Sequence, residues 1–492
     1  MKNRGLLHTL RGLAIAAVLL MGAAGAGATS KTIMVHYMPW FEGPYAFGSG
    51  NWGNHWTGAI YSYTQYFNPN QTNSAGQDMI ASHYYPLIGP YDCLDPVVSE
   101  YHVVLMKLAG IDGVLADWDG NNVFDDFLQI NSRMAALYTN VCNAGLKFGV
   151  VVEPWTMQAQ FTNNIAAATA SEQGQMLYLQ TNYFNTPNYL RLGGKPVLLD
   201  FGNAYFTSSS QWTSIFSVLD ATNQPAFFTE DNALTPAAEG AFDWPPMSQS
   251  SPSGGSNVLS NTTLVNYLNN FRQNGNSWSA YVSSAFPRYN DIYAQIGGVS
   301  NGYLSDNNGV TFQETLSMAM TNASSVVQLV TWNDYGEGTV IEPTAQYGYR
   351  DLGVVQNYRR QYIDPSFPYH TNDLALALQL YNLRRQYGNY PVVNAELNRV
   401  FTNLVSGNLA GAQTQMAGVQ AGKPVLYSQT FTNGQIQFCL GGYLVFGATV
   451  QKANNLSGPW QTVTTYSPNT FLQTFSTNIS AQPNGTYFRV SQ

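Results

Sequence analysis

The chain has 492 residues, a formal net charge of −8 and only 10% charged residues, against about 25% in a typical soluble domain. This acidic balance argues against a nucleic-acid partner, because such proteins need basic surface to replace the counterions of phosphate groups. A surface polar through Asn, Gln, Ser, Thr and 32 Tyr suits neutral, polyhydroxylated ligands, and the length permits two or three domains.

Residues 1–28 predict a signal peptide. A basic start, an apolar run at 13–20 and small residues at 26–28 follow the pattern of a cleaved signal, and the run is short for a membrane span. A retained N-terminal anchor is the alternative. Cleavage takes away three basic residues and no acid, which moves the formal charge from −8 to −11. We therefore expect a secreted or periplasmic chain without a membrane span after signal removal.

The three cysteines, Cys93, Cys142 and Cys439, permit at most one bridge within the chain, so they do not form a disulfide framework. They also lack the paired Cys or Cys/His spacing that is typical of a zinc site. We expect no metal and no other cofactor. The sequence leaves open whether any disulfide forms.

Eight short apolar runs recur along residues 30–366, with helical patterns between several of them. Strands that are buried on both faces read as continuous apolar runs. Eight strand–helix units predict an α/β fold, a (β/α)8 TIM barrel. The predicted strands are Thr32–Tyr37, Gly113–Asp117, Phe148–Glu153, Pro196–Asp200, Ala226–Thr229, Gly240–Trp244, Ala280–Ser284 and Val326–Trp332.

An acidic or aromatic residue closes almost every one of these runs, as at Asp117-Trp118 and at Glu153. In such barrels the active site lies at the C-terminal ends of the strands, so these side chains are expected to converge on one mouth. An acid in this position can also cap the following helix. Capping could account for Asp119 and Asp231.

The eighth predicted strand leads into a Trp-Asn-Asp-Tyr-Gly-Glu segment that begins at Trp332. This segment places two carboxylates, Asp334 and Glu337, three positions apart, and Trp332 and Tyr335 flank them with flat apolar faces. Glycoside hydrolysis needs such a pair: one acid protonates the leaving oxygen and one base directs the attack on the sugar. The segment therefore predicts a catalytic turn.

The first connection, from Met38 to Pro96, is much longer than the usual few residues and rich in aromatic residues. It predicts a cleft wall on which sugar rings stack, or else a surface insertion with its own small core.

Residues 367–422 predict a helical segment, with helices at Asp373–Tyr387 and Ala395–Val419. Residues 423–492 predict a small, all-β, sandwich-like module, which could bind glycan, pack on the barrel or do neither.

Two blocks of sequence carry a resemblance to known families. The first runs from Tyr91-Asp92 and Asp95-Pro96 through an Ala-Gly-Ile-Asp-Gly motif at 109–113 to Asp117-Trp118, and it resembles glycoside hydrolase family 99. The second is the segment at 332–337. Family 99 has Trp-Asn-Glu-Trp-x-Glu-Gly there, whereas family 71, the α-1,3-glucanases, has the Trp-Asn-Asp-Tyr-Gly-Glu found in this chain.

The resemblance implies that Glu337 is the general acid and that Asp334 is its partner. In family 99 the partner is a Glu that assists attack by the substrate's own 2-hydroxyl, with retention, and in family 71 it is a base for water, with inversion. The shorter Asp leaves more room for a water between the two carboxyl groups. We therefore favour a family 71-like, inverting, endo-acting α-1,3-glucanase that acts on a polysaccharide, with a family 99-like, retaining endo-α-mannosidase as the alternative.

The resemblance also implies that Glu153 contacts the sugar, since it matches an acid on the third strand of family 99, and that no metal takes part. A further set of residues at strand ends, in the long first loop and around the catalytic turn is expected to bind substrate. These are His36, Tyr37, His55, Trp56, His83, Asp117, Trp118, Tyr293, Trp332, Asn333 and Tyr335.

Two other classes of function compete with hydrolysis. A decayed barrel could bind glycan without catalysis, although binding a neutral sugar does not need both Asp334 and Glu337. A surface or adhesion protein could carry its function in the C-terminal module. The sequence leaves open the sugar, the linkage and the oligomeric state.

Overall fold

The computed structural model describes residues 31–44, 50–59, 66–202, 205–253, 256–389, 391–420, 425–432, 435–441, 443–444, 448–467, 470–471, 474–478 and 486–491. The predicted signal peptide at 1–28 lies outside the described residues. None of the helices in the described ranges is long and apolar enough to cross a membrane.

Eight parallel strands close into a barrel. Each strand pairs with the next one along the chain, and the eighth pairs with the first. The predicted (β/α)8 barrel is therefore confirmed, and every strand overlaps the apolar run that predicted it. The strands are β1 Thr32–Tyr37, β2 Gly113–Trp118, β3 Lys147–Val152, β4 Lys195–Asp200, β5 Ala226–Glu230, β6 Gly240–Phe242, β7 Val282–Ala285 and β8 Val326–Leu329.

Helices follow most of the strands and cover the outside of the barrel. The first long one, α2 at Pro96–Ala109, begins after Asp95, whose side chain accepts a hydrogen bond from the Val97 N–H. It ends at Gly110 in a left-handed conformation, as its sequence predicts. Within the barrel region the helices are α1 Asn54–Thr57, α2 Pro96–Ala109, α3 Phe127–Asn143, α4 Trp155–Phe161, α5 Ile165–Leu179, α6 Ser209–Phe216, α7 Asn261–Gly275, α8 Val310–Thr321 and α9 Arg350–Tyr362.

The Ala-Gly-Ile-Asp-Gly motif has a structural explanation at both of its glycines. Gly110 has a φ of +81° where α2 ends, a conformation that other residues adopt at a cost. A Cβ at Gly113 would lie 2.3 Å from the carbonyl oxygen of Lys147 on β3. The motif therefore ends a helix and lets β2 start in close contact with its neighbour.

The predicted helical segment after the barrel is present with different boundaries. The first helix, α10 Ala375–Tyr387, follows a 3-10 turn at Thr371–Leu374. The predicted stretch Ala395–Val419 is two helices, α11 Pro391–Ser406 and α12 Leu409–Gln420, because Gly407 adopts a left-handed φ of +87° between them.

The C-terminal region is a set of short strands, so the predicted all-β domain is present. A small core of Phe438, Ala448 and Val450 lies among these strands. Cys93 and Cys142 are both free thiols. The strands are β9 Val425–Thr432, β10 Gln435–Gly441, β11 Tyr443–Leu444, β12 Ala448–Ala453, β13 Gln461–Tyr466, β14 Thr470–Phe471, β15 Thr474–Asn478 and β16 Tyr487–Ser491.

Candidate active site

A cavity of about 730 Å³ opens at the C-terminal ends of the barrel strands. The long first loop contributes Trp40 and His55 to its wall, and the residues after β3, β6 and β8 contribute Glu153, Trp244 and the predicted carboxylate pair. Its size is typical of a ligand pocket. Five of the residues expected at the site line it: His55, Glu153, Tyr293, Asp334 and Glu337.

The turn that carries the two acids is clamped to the end of β1 by Asn333. The Asn333 side-chain oxygen accepts a hydrogen bond from the Met38 N–H at 2.9 Å, and its side-chain nitrogen donates to the Met38 carbonyl at 2.9 Å. The same nitrogen donates to the Tyr91 hydroxyl at 3.1 Å. The position of the following residue, Asp334, is thereby fixed relative to the first strand.

Further hydrogen bonds fix the rest of the turn. The Asp334 N–H donates to the Thr331 hydroxyl at 2.8 Å, and the Glu337 N–H donates to Asp334 Oδ1 at 2.9 Å. The carbonyl groups of Gly336 and Glu337 accept from the backbone N–H groups of Ile292 and Asn290, at 2.9 and 2.8 Å. Because the turn is held from both β1 and the loop after β7, the two acids lie at fixed positions on the cavity wall.

A buried carboxylate, Glu342, supports this turn from behind. It accepts hydrogen bonds from the hydroxyl groups of Tyr91 and Tyr335, at 2.7 and 2.9 Å, and contacts His102 Nε2 at 3.0 Å. Tyr91 is also the group that contacts Asn333. Glu342 thus links the long first loop, α2 and the turn through one set of buried hydrogen bonds.

Burial gives the two acids of the turn different proton affinities. Desolvation raises the pKa of Asp334 to about 6, opposed by the hydrogen bonds that it accepts from the backbone N–H groups of Glu337 and Gly336. Burial, with the neighbouring charge of Asp334, raises the pKa of Glu337 well above its ordinary value. Two carboxyl groups whose environments separate their pKa values are suited to act as an acid and a base at the same pH.

Three more carboxylates lie at the ends of β2 and β3. Asp117, Asp119 and Glu153 are all buried, and their oxygens approach within 4.8 Å of one another. Burial raises the pKa of each above its ordinary value, and mutual repulsion adds to the effect. Among the described residues this group has the spacing that could hold a cation; the expected absence of a metal stays a prediction.

His36 lies beneath this acidic wall and does not line the cavity. Its Nε2 is 3.3 Å from Asp117 Oδ2, and its ring packs edge-on against Trp244 with centroids 5.0 Å apart. Burial lowers the pKa of His36 to about 3, so the ring is neutral at physiological pH. His36 and Asp117 therefore support Glu153 and Trp244 from behind the cavity wall.

Other expected substrate-binding residues lie further from the cavity. Trp56 donates its indole N–H to the Tyr91 carbonyl at 2.7 Å, Trp118 stacks on Tyr178, and His83 contacts the Asp291 carbonyl at 3.0 Å. The side chains of Tyr37, Trp56, Trp118, Trp332, Asn333 and Tyr335 are at most 1% exposed and pack the barrel and the loop around it. The structure does not bring these six or His83 to the cavity lining, and direct contact of their side chains with sugar stays a prediction.

Several residues that line the cavity were absent from the predicted site. Asp119 is 6% exposed and lies on the cavity wall; the capping explanation for it is wrong, because α3 begins at Phe127. Its position at the end of β2 was the signal that pointed to the cavity. The others include the aromatic residues Trp40, Phe41, Phe124, Phe127, Trp155, Phe201 and Trp244 and the acids Asp125 and Asp126.

Comparison with known proteins supports a catalytic barrel. Residues 28–224 match the family described as Glycosyl hydrolase family 99. The chain is a glycoside hydrolase related to family 99. The match does not support the leading expectation of a family 71-like α-1,3-glucanase, and it favours the family 99-like alternative.

Two curated relatives are glycoprotein endo-alpha-1,2-mannosidases. The protein from Xenopus laevis is 20% identical over 340 residues, which cover 64% of this chain and 70% of the relative. The protein from Rattus norvegicus is 22% identical over 323 residues, which cover 62% of this chain and 65% of that relative.

A solved structure has the same fold. The GH99 endo-alpha-mannosidase from Bacteroides thetaiotaomicron superposes with a TM-score of 0.50 at 17% identity, over 68% of this chain and 97% of that one. At this level of identity the likeness concerns the fold of the barrel.

The buried support of the turn can be tested at Glu342. Glu342→Gln replaces one acceptor oxygen with an NH2 group that cannot accept from the three donors around it. We expect a loss of about 1–3 kcal/mol in the free energy of unfolding, as for an unsatisfied buried polar group, measured by denaturant titration. The matched control is Glu314→Gln on α8, which is partly exposed. Equal stability of the two variants would contradict the supporting role.

Proposed function

We propose that this protein is a retaining, endo-acting α-mannosidase in which Glu337 is the general acid and Asp334 the base. The observation that carries the proposal is the pair of buried acids, with separated pKa values, that shares one wall of the cavity. The relation to family 99 and to endo-mannosidases supports the choice of sugar and of stereochemistry.

Glu337 has the environment of a proton donor. Burial and the neighbouring Asp334 raise its pKa well above the ordinary value, which favours the protonated form. The Tyr289 hydroxyl is 3.0 Å from Glu337 Oε1 and accepts from Asn301 Nδ2 at 3.1 Å. Because an amide NH2 only donates, the Tyr289 proton points to Oε1. We therefore place the acidic proton of Glu337 on Oε2, the buried oxygen that has no hydrogen-bond partner among the described residues.

Asp334 has the environment of the base. Its Oδ1 accepts the Glu337 N–H, a bond that favours the anion. With a pKa of about 6, it is mostly ionised at neutral pH and can still accept a proton. In the family 99 relation, the proton that it takes is that of the sugar's 2-hydroxyl.

The charge of the cavity supports a neutral glycan. Among the described residues that line it, six are carboxylates and none is Lys or Arg. Such a wall repels anionic sugars, while its carboxylates accept hydrogen bonds from hydroxyl groups. The rings of Trp40, Trp155 and Trp244 offer apolar faces for sugar rings.

We also propose that the enzyme acts outside the cytoplasm. The support is the signal-like sequence at 1–28, together with the low content of charged residues. A neutral polysaccharide is the expected partner.

The two roles can be separated with substrates of different leaving groups. Glu337→Gln should lower the rate on a mannan oligosaccharide by about 10²–10⁴-fold. It should lower the rate far less on a 2,4-dinitrophenyl glycoside, whose leaving group needs no protonation. Asp334→Asn should lose activity on both substrates. Full activity of Glu337→Gln on the oligosaccharide would sink the assignment.

The pH dependence follows from the same pair. A base works only when it is deprotonated, so kcat/KM should fall as the pH drops through the Asp334 pKa of about 6. The limiting slope is about tenfold per pH unit. At high pH the rate should fall as Glu337 loses its raised-pKa proton. A pH–rate profile that stays flat between pH 7 and pH 4 would contradict the role of Asp334.

A further inference from the structure

Charge is divided unevenly between the C-terminal module and the rest of the chain. Residues 423–492 contain no Asp or Glu and three basic residues, Lys423, Lys452 and Arg489, so their formal charge is +3. Residues 1–422 hold all 28 acids and the other 17 basic residues, which gives −11. The module is therefore electrostatically unlike the acidic barrel that precedes it.

Three strands of the module form a sheet with one apolar face and one polar face. The central strand, β12, pairs antiparallel with β13 on one side and with β16 on the other. Val450 and its partner Val490 belong to the small core of the module. Because side chains alternate between the two faces of a strand, the next pair, Gln451 and Arg489, lies on the opposite face. Arg489 is exposed there, so this face is open to solvent.

Two contacts hold Arg489 in one orientation on this face. Its Nε donates to Gln451 Oε1 at 2.8 Å. Its guanidinium carbon lies 4.3 Å from the centroid of the Trp460 ring, a cation–π contact. Neither contact uses the two terminal NH2 groups, which remain available to a ligand.

Arg489 differs in this respect from arginines in the barrel and the helical segment. Arg133 pairs with Asp92 at 3.0 Å, and Arg384 pairs with Glu100 at 2.8 Å. Arg489 has no carboxylate to pair with inside its own module, since residues 423–492 contain none. Its charge is therefore balanced by solvent ions or by an external anion.

The geometry of this face selects the class of anion. A planar guanidinium with two free NH2 groups binds a carboxylate through two parallel hydrogen bonds, and its orientation is already set before binding. The hydroxyl groups of Thr462 and Thr465 are exposed on β13 and share the face with Gln451 and its neighbour Thr449. A carboxylate with hydroxyl groups around it is the chemistry of a uronic acid.

We propose that Arg489, held by Trp460 and Gln451, forms a binding site for the carboxylate-bearing sugars of an acidic polysaccharide, and that this site attaches the enzyme to such a polymer. The site lies outside residues 28–224, the part that matches family 99, and it does not depend on the proposed reaction. The acidic cavity repels the polymer that the module binds. Attachment through the module therefore leaves the cavity open for a neutral substrate.

The test measures binding of the full-length protein to polygalacturonate immobilised on beads. Unsubstituted mannan on beads and vesicles of phosphatidylglycerol are the comparison surfaces. We expect binding to polygalacturonate that weakens as salt is added, because exposed charges are screened, and at least about tenfold weaker binding to the other two surfaces. Arg489→Gln should raise the Kd for polygalacturonate by about tenfold or more, since it removes a charge-assisted, two-bond contact.

Two further variants make the result specific. Arg489→Lys keeps the charge but lacks the planar fork, so it should also weaken binding. Lys452→Gln is the matched control, because it removes one positive charge from the neighbouring strand, at a position paired with Phe488 on the opposite face. Its Kd should stay within about twofold of the wild type. The melting temperature of each variant is measured first, and Arg489→Lys decides the result if Arg489→Gln is unstable.

Three results would overturn the site. Equal losses of binding in Arg489→Gln and Lys452→Gln would show a diffuse attraction to positive charge. Equal binding of the wild type to mannan and to polygalacturonate would show that no carboxylate is recognised. Binding to the vesicles as tight as to polygalacturonate would indicate a lipid surface instead of a sugar.

Discussion

The arrangement of the site depends on one side-chain amide, that of Asn333. By bonding both the N–H and the carbonyl of Met38, it joins the segment after the last strand to the end of the first strand. A barrel closed by strand pairing does not by itself fix the segments beyond the strand ends. The Asn333 amide does so at the point where the two acids lie, and Glu342 and its tyrosine partners fill the space behind it.

The second constraint is electrostatic. Buried carboxylates crowd the mouth of the barrel, and the nearest histidine in contact with them, His36, is neutral because it is buried. Carboxyl groups placed this close cannot all ionise, so their pKa values move apart. The pKa of Glu337 is thereby raised well above its ordinary value, while that of Asp334 is raised to about 6, and the acidic wall is unfavourable for anionic sugars.

The barrel could be predicted from sequence because each strand is buried on both faces, which leaves an unbroken apolar run. The site was harder to predict. Glu153, Asp334 and Glu337 were found because acids at strand ends face the mouth. Trp332 and Tyr335 were expected there because they are adjacent in sequence, yet neighbouring residues in a turn point to different sides, and these two rings point into the core.

Other errors have the same origin in backbone geometry. Asp119 was attributed to helix capping because the sequence does not reveal that α3 starts eight residues later. The break at Gly407 was missed because a glycine inside a helical pattern is often tolerated.

The sequence-based preference for family 71 over family 99 depended on a single residue, Asp334. One residue carries less weight than the match to family 99 along residues 28–224.

The measurement that tests the proposed reaction most directly is NMR of the first products that the wild-type enzyme releases from α-mannan and from α-1,3-glucan. We expect internal cleavage of the mannan, with the α-anomer formed first. Cleavage of the glucan with release of the β-anomer, while the mannan stays intact, would contradict the assignment.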